Sequence, residues 1–123
     1  MKKQMIRVLR YYKEYLKAKK NNAEKIVIIK SRKKHEIILD DRVVQIFLVV
    51  EELINSISSE YSKKIIQSYY FDRKTEKYIV SHFAISSSSF FRMKKIFENR
   101  FFVMLAAKGI VTYDDILEEK FDI

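Results

Sequence analysis

Apolar positions along this chain recur mostly at three- and four-residue intervals, the spacing of one face of a helix. Between Gln4 and Lys20 they are Met5, Val8, Leu9, Tyr12 and Leu16, with Lys13, Lys17 and Lys20 on other faces. The pattern predicts one amphipathic helix, with Asn21-Asn22 as its stop. Tyr11, Tyr12 and Tyr15 are expected to pack rather than to offer platforms for bases. Asp40 or Asp41 is placed to cap a second helix reaching about Ser58. Its apolar residues Val43, Val44, Phe47, Leu48, Val50, Leu53, Ile54 and Ile57 cover more than one face, which suits a helix central to the core or one shared with a partner subunit. A third helix starts at Tyr61 or Ser62 and runs to about Tyr70, with Ile65, Ile66 and Tyr69 inward. Residues 25–39 read less clearly. Two β-branched runs, Ile26 to Ile29 and Glu36 to Leu39, flank the polar Lys30 to His35; they could pair as a hairpin, or the first could continue the N-terminal helix. Without Gly or Pro to mark a turn, helix is the expectation for the first.

The most legible stretch is Thr75 to Arg100. Ile79, Val80 and Phe83 predict a short helix capped by Thr75, and the rhythm breaks at Ala84-Ile85-Ser86. A second helix follows, opened by Ser86 or Ser87, whose hydroxyl can accept an orphan backbone N–H. With Phe90, Met93 and Phe97 inward, Ser86, Ser87, Ser88, Phe91, Arg92 and Lys95 face outward near its start. Short polar donors followed by long cations suit a DNA major groove and its flanking phosphates. Lys74 of the polar connector Phe71-Asp72-Arg73-Lys74, the cap Thr75 and Lys77 of the first helix, with Ser89 and Lys94 on the second, complete the candidate DNA-contacting set. The plainer alternative is a helical hairpin whose serines are a connector and whose cations are simply solvated. The second helix is expected to run to Lys108, carrying Phe101, Met104 and Leu105 onto the core, with Gly109 as its left-handed C′ residue. Thr112-Tyr113-Asp114-Asp115 resembles a further cap, followed by a short acidic amphipathic tail with Ile116, Leu117 and Phe121.

Composition narrows the picture. With 123 residues, 48% of them hydrophobic, the chain can bury one real core. Pro is absent and Gly occurs once, so the expected fold is all-α: a small helical domain with a C-terminal helix-turn-helix and a basic N-terminal helix. The net charge of +9 is uneven. Residues 1–35 hold 13 basic and two acidic residues, a balance of +11, while residues 36–123 hold 12 basic and 14 acidic, a balance of −2. This divides the chain into a basic helical arm, 1–35, and a helical body, 36–123, with the helix-turn-helix at about 75–100. A basic arm calls for a polyanion, most commonly nucleic acid, with an anionic membrane surface as the alternative. No apolar run approaches the roughly 20 residues that span a bilayer, and no apolar region of a secretion signal follows Met1-Lys2-Lys3-Gln4. The expected location is therefore the cytoplasm.

Catalytic chemistry is hard to assemble from these residues. Cys is absent, which excludes disulfides and thiolates, and His35 and His82 alone cannot build a structural zinc site. His82 reads as a surface residue. The acid pairs Asp40-Asp41, Glu51-Glu52, Asp114-Asp115 and Glu118-Glu119 are sequence neighbours, which on a helix do not face each other. The single Gly109 precludes a Gly-rich phosphate loop, and Ser86 to Ser89 lack the serine-hydrolase elbow. No catalytic residue, metal or cofactor is expected, and the chain reads as a non-enzyme.

At Tyr69 to Arg92, YYFDRKTEKYIVSHFAISSSSFFR, the chain resembles the fourth conserved region of bacterial sigma factors, and still more the small phage transcriptional regulators of the ArpU and RinA type. Ile85, Ser86, Ser88, Ser89, Phe90, Phe91 and Arg92 occupy the places of that family's turn and second helix. Ala106-Ala107-Lys108-Gly109-Ile110 matches its closing helix, and Tyr12-Lys13-Glu14-Tyr15 fits more loosely. One departure is Ala84-Ile85, where no Gly precedes the hydrophobe. The resemblance, covering about Leu39 to Ile110, implies a promoter-binding activator of late phage or prophage genes. Double-stranded DNA is then the expected partner, with RNA polymerase and a second copy of the chain as further candidates. A DNA-binding phage assembly protein, such as a small terminase subunit, is the alternative, and a helical adaptor that binds only proteins a third.

Overall fold

The computed structural model describes residues 2–111. The expected tail from Thr112 onward lies outside them, as does the side chain of Met5. Among the described residues, six α-helices and one two-stranded sheet follow one another as α1 (Lys2–Arg10), α2 (Tyr12–Lys20), β1 (Lys25–Lys30), β2 (Lys33–Ile38), α3 (Asp41–Asn55), α4 (Glu60–Ile66), α5 (Glu76–His82) and α6 (Ser87–Ala107). A π-helical turn, Gln67–Phe71, extends α4. None of these helices is long and apolar enough to cross a membrane.

The cap residues act through local chemistry. Asp40 accepts the Val43 N–H at 2.9 Å and opens α3; Ser59 does the same for α4 through Ser62, so α4 starts at Glu60, one or two residues earlier than the apolar pattern suggests. At the far end of α6, Gly109 (φ +69) sends its N–H to the Ala106 carbonyl, and Ile110 bonds back to Leu105, each at 3.0 Å. That is a Schellman ending, with Ile110 buried against the helix it terminates.

The fold is not all-α. Ile26 to Ile29 form a strand, paired antiparallel with β2 in the register Lys30↔Lys33, so a two-residue loop of Ser31 and Arg32 closes the hairpin. Both residues take positive φ, +53 and +62, the mirror-image turn that matches strand twist. The strands alternate: Ile26 is buried and Ile28, Ile37 and Leu39 lean on the core, while Val27, Ile29 and Ile38 face out.

The expected single helix over 4–20 is two, divided at Tyr11 (φ −104, ψ 9). The Arg10 carbonyl at that break accepts two bonds, of 3.1 and 2.9 Å, from the Arg73 guanidinium. The break changes which residues face in. Val8, Leu9, Tyr12, Tyr15 and Ala18 are buried, whereas Leu16, expected inward, is exposed. Tyr12 and Tyr15 do pack: Tyr15 stacks on Phe47 of α3, and Tyr12 lies against Phe71. Residues 1–35 are therefore no arm in the packing sense. Their apolar side chains share one core with α3, the π-turn and the second half of α6, so the charge boundary near residue 35 is not a packing boundary.

α3 is the central element, with Val43, Ile46, Phe47, Val49, Val50, Leu53 and Ile54 buried; Leu48, expected inward, is exposed, and Ile46 takes its place. The π-turn adds a residue to the helical repeat, so Tyr70 and Phe71 both reach the main core. Tyr69, expected there, is only half-buried and packs between the main core and a second, smaller cluster of Ile65, Ile79 and Phe90. That cluster fastens α5 and the start of α6 to α4.

Candidate nucleic-acid interface

The first half of α6 belongs to the small cluster and its second half to the main core. Phe90 packs on Ile65 and Ile79, with Phe83, Ile85 and Met93 around them, while Phe97, Phe101, Phe102 and Leu105 lie deeper in the protein. Between α5 and α6 the chain turns at Ala84, a non-glycine residue held in the left-handed region (φ +51). Tyr61 of α4 supports the turn by donating its hydroxyl to the Phe83 carbonyl at 2.6 Å and setting its ring edge-on to Phe83.

Caps set where each helix begins. Thr75 accepts the Tyr78 N–H at 3.1 Å, and Ser86, rather than Ser87, accepts the Ser89 N–H at 3.1 Å. The Ser86 hydroxyl also donates to the Ser89 hydroxyl at 2.8 Å. Thr75, Ser86 and Ser89 thus serve the helix starts. Ser87 and Ser88 are exposed in the first turn of α6.

With Phe90 fixing the rotation of α6, Ser88, Arg92 and Lys95 form an exposed stripe on the side opposite Phe90. Phe91 flanks it, with the Lys95 ammonium 5.4 Å from its ring centre. Lys94 departs from this group: half-buried, it holds its ammonium 5.0 Å from the Tyr69 ring centre and 5.3 Å from that of Phe90. Lys77 on α5 and Lys74 just before its cap are exposed; Lys74 lies over Tyr78, at 5.1 Å, and the same ring stacks on the exposed His82. Most of the candidate residues therefore fall into an outward stripe, a set of capping hydroxyls, and cations settled on aromatic faces, while Ser87 and Lys77 are simply exposed.

Residues outside the expected set join this surface. Arg10 of α1 sits over the Tyr69 ring at 5.6 Å, on the same ring as Lys94, bringing the basic N-terminal segment beside α6. Arg73, also at positive φ (+57), lies 5.5 Å over Tyr11 and pairs with Glu14, while Lys13 pairs with Asp72. The interleaving of aromatic residues with cations in Tyr69 to Lys74 was the available signal for these contacts. Arg100, two turns beyond Arg92 on α6, faces the end of α3 and had no such signal.

Below the stripe, the Tyr70 hydroxyl donates to Glu98 of α6, tying the π-turn to that helix. Burial first, and the Glu98 carboxylate second, push the Tyr70 pKa far above the ordinary tyrosine value. Among the described residues no cluster of His, Cys, Asp or Glu is arranged to hold a metal ion. No family model, curated protein or solved structure matches this chain.

Proposed function

We propose that the chain is a non-enzymatic, sequence-specific DNA-binding transcriptional regulator in which α5 and α6 act as a helix-turn-helix and α6 enters the major groove. The observation that carries this reading is the stripe Ser88, Arg92 and Lys95, exposed at the start of a helix whose opposite face is locked by Phe90. An arginine one turn into a groove-lying helix can meet guanine bidentately, and a lysine one turn further reaches base edge or phosphate. Arg10 and Lys94, gathered on Tyr69 beside the stripe, add positive potential where phosphates would lie. The net charge of +9 favours the same partner.

The sequence resemblance over Tyr69 to Arg92 extends the proposal to activation of phage or prophage genes, with RNA polymerase as the protein contacted from DNA. Footprinting on DNA from the gene's own neighbourhood tests it. A discrete protected site, weakened by salt and reproduced by a short duplex, is the expected result; uniform protection or none counts against sequence reading. A protected palindrome would add a second copy of the chain to the proposal.

A further inference from the structure

Beside the stripe, the end of α3 and the start of α4 face α6 across an open cavity of about 510 Å³. Leu53, Ile66 and Phe97 supply an apolar floor, Ile96 is 52% exposed on its wall, and Arg92 and Arg100 stand along the same helix. Among the described residues no acidic side chain lines the cavity, and neither arginine forms an ion pair with another of them. Such a groove suits a segment that carries apolar side chains and carboxylates together.

The chain contains one. Thr112 to Ile123 holds Asp114, Asp115, Glu118, Glu119 and Asp122 against Lys120, together with Ile116, Leu117 and Phe121. This segment leaves from Val111, buried at the end of α6. There Lys108 pairs at 2.9 Å with Glu52, the neighbour in sequence of Leu53 on the groove floor. Twelve extended residues span up to about 40 Å. The α6 wall from Ser89 to Arg100 is about 17 Å long. We propose that this groove is the docking site of the chain's own acidic segment, residues 112–123, with its apolar side chains on the floor and its carboxylates against Arg92 and Arg100. Docking sets the segment in competition with DNA for Arg92. That consequence rests on the DNA-binding reading; the docking does not.

Because the chain has no cysteine, an introduced pair reports the contact directly. The full chain carrying Ile96→Cys and Leu117→Cys is mildly oxidised without DNA, beside a control pairing Leu117→Cys with Ile29→Cys on the exposed face of the hairpin. The groove pair is expected to close within one molecule at least about ten times faster than the control, since a docked segment has a higher effective concentration at its site than elsewhere. Arg100→Glu, checked by a thermal melt to be folded, is expected to remove that advantage. Equal rates for the two pairs, or bridges formed only between molecules, would overturn the proposal. An advantage that survives Arg100→Glu would overturn the ionic contact assigned to Arg100. A chain that binds no DNA would leave these outcomes unchanged, so the two proposals fail separately.

Discussion

Phe90 and Phe91 are neighbours on α6 with opposite surroundings: Phe90 is fully buried against Ile65 and Ile79, while Phe91 is 54% exposed beneath the Lys95 ammonium. Phe90→Ala empties a site in a small cluster that has little else to hold it and is expected to cost about 3–5 kcal/mol. Phe91→Ala, at an exposed site, is expected to cost less than about 1 kcal/mol. Thermal melts of the two variants check the rotation of α6, and a larger loss at Phe91 would contradict it.

The turn at Ala84 gives a second prediction. A non-glycine residue in the left-handed region costs roughly 1–2 kcal/mol, while glycine adds unfolded-state entropy worth about 0.4–1 kcal/mol. Ala84→Gly is therefore expected to leave stability unchanged or raise it by up to about 1 kcal/mol, where the same change in a helix interior loses about 1 kcal/mol. A denaturant titration decides, and a loss of that size at Ala84 would show that its conformation carries no strain.

Alkaline pH should weaken the fold. Burial, with the charge of Glu51 adding to it, pushes the Tyr12 pKa up to about 12, and Tyr70 is raised further, both from 10.0. Above pH 10 unfolded tyrosines lose protons that these native ones keep, so stability is intact below about pH 10 and falls as pH rises toward 12. Tyr12→Phe should show a shallower decline over that interval in melts at stepped pH; an identical slope would remove Tyr12 from the account.

Charge at the N-terminus can be separated from packing. Deleting residues 1–20 removes Val8, Leu9, Tyr12 and Tyr15 from the core and should abolish cooperative melting. Replacing the exposed Lys17, Lys19 and Lys20 by Gln should spare the melt. For each of the three that meets a phosphate, the slope of log K against log salt should flatten by about 0.9. An unchanged slope would mean that the charge on α2 faces something other than duplex DNA.

Much of α3 to α6 could be read from the chain because caps are local chemistry. Asp40, Thr75, Ser86 and Gly109 each act within a few residues of their own position, and the inward rhythm of Phe90, Met93 and Phe97 follows once Ser86 fixes the start. The hairpin was hidden because Ser31 and Arg32 take positive φ without Gly or Asn. The break at Tyr11 has no local sequence signal, and its freed carbonyl is bonded by Arg73, 63 residues away. The π-turn moves Tyr69, Tyr70 and Phe71 by one place, which no regular period foresees. At the candidate interface, Ser88, Arg92 and Lys95 were legible from helix spacing, whereas the inward fold of Lys94 onto Tyr69 required the tertiary position of that ring. Arg100 and its groove depend likewise on where α3 ends.

The central claim is that the outer stripe of α6 reads sequence. Its most direct test is the ratio of affinities of Arg92→Ala and the parent for the footprinted duplex and a scrambled one at fixed salt, with a melt of each protein. A base-reading arginine is worth about 1–3 kcal/mol of discrimination, so the variant's ratio should fall by roughly 5- to 150-fold with little change in melting temperature. An unchanged ratio in a folded variant would contradict the assignment of α6 as the reading helix.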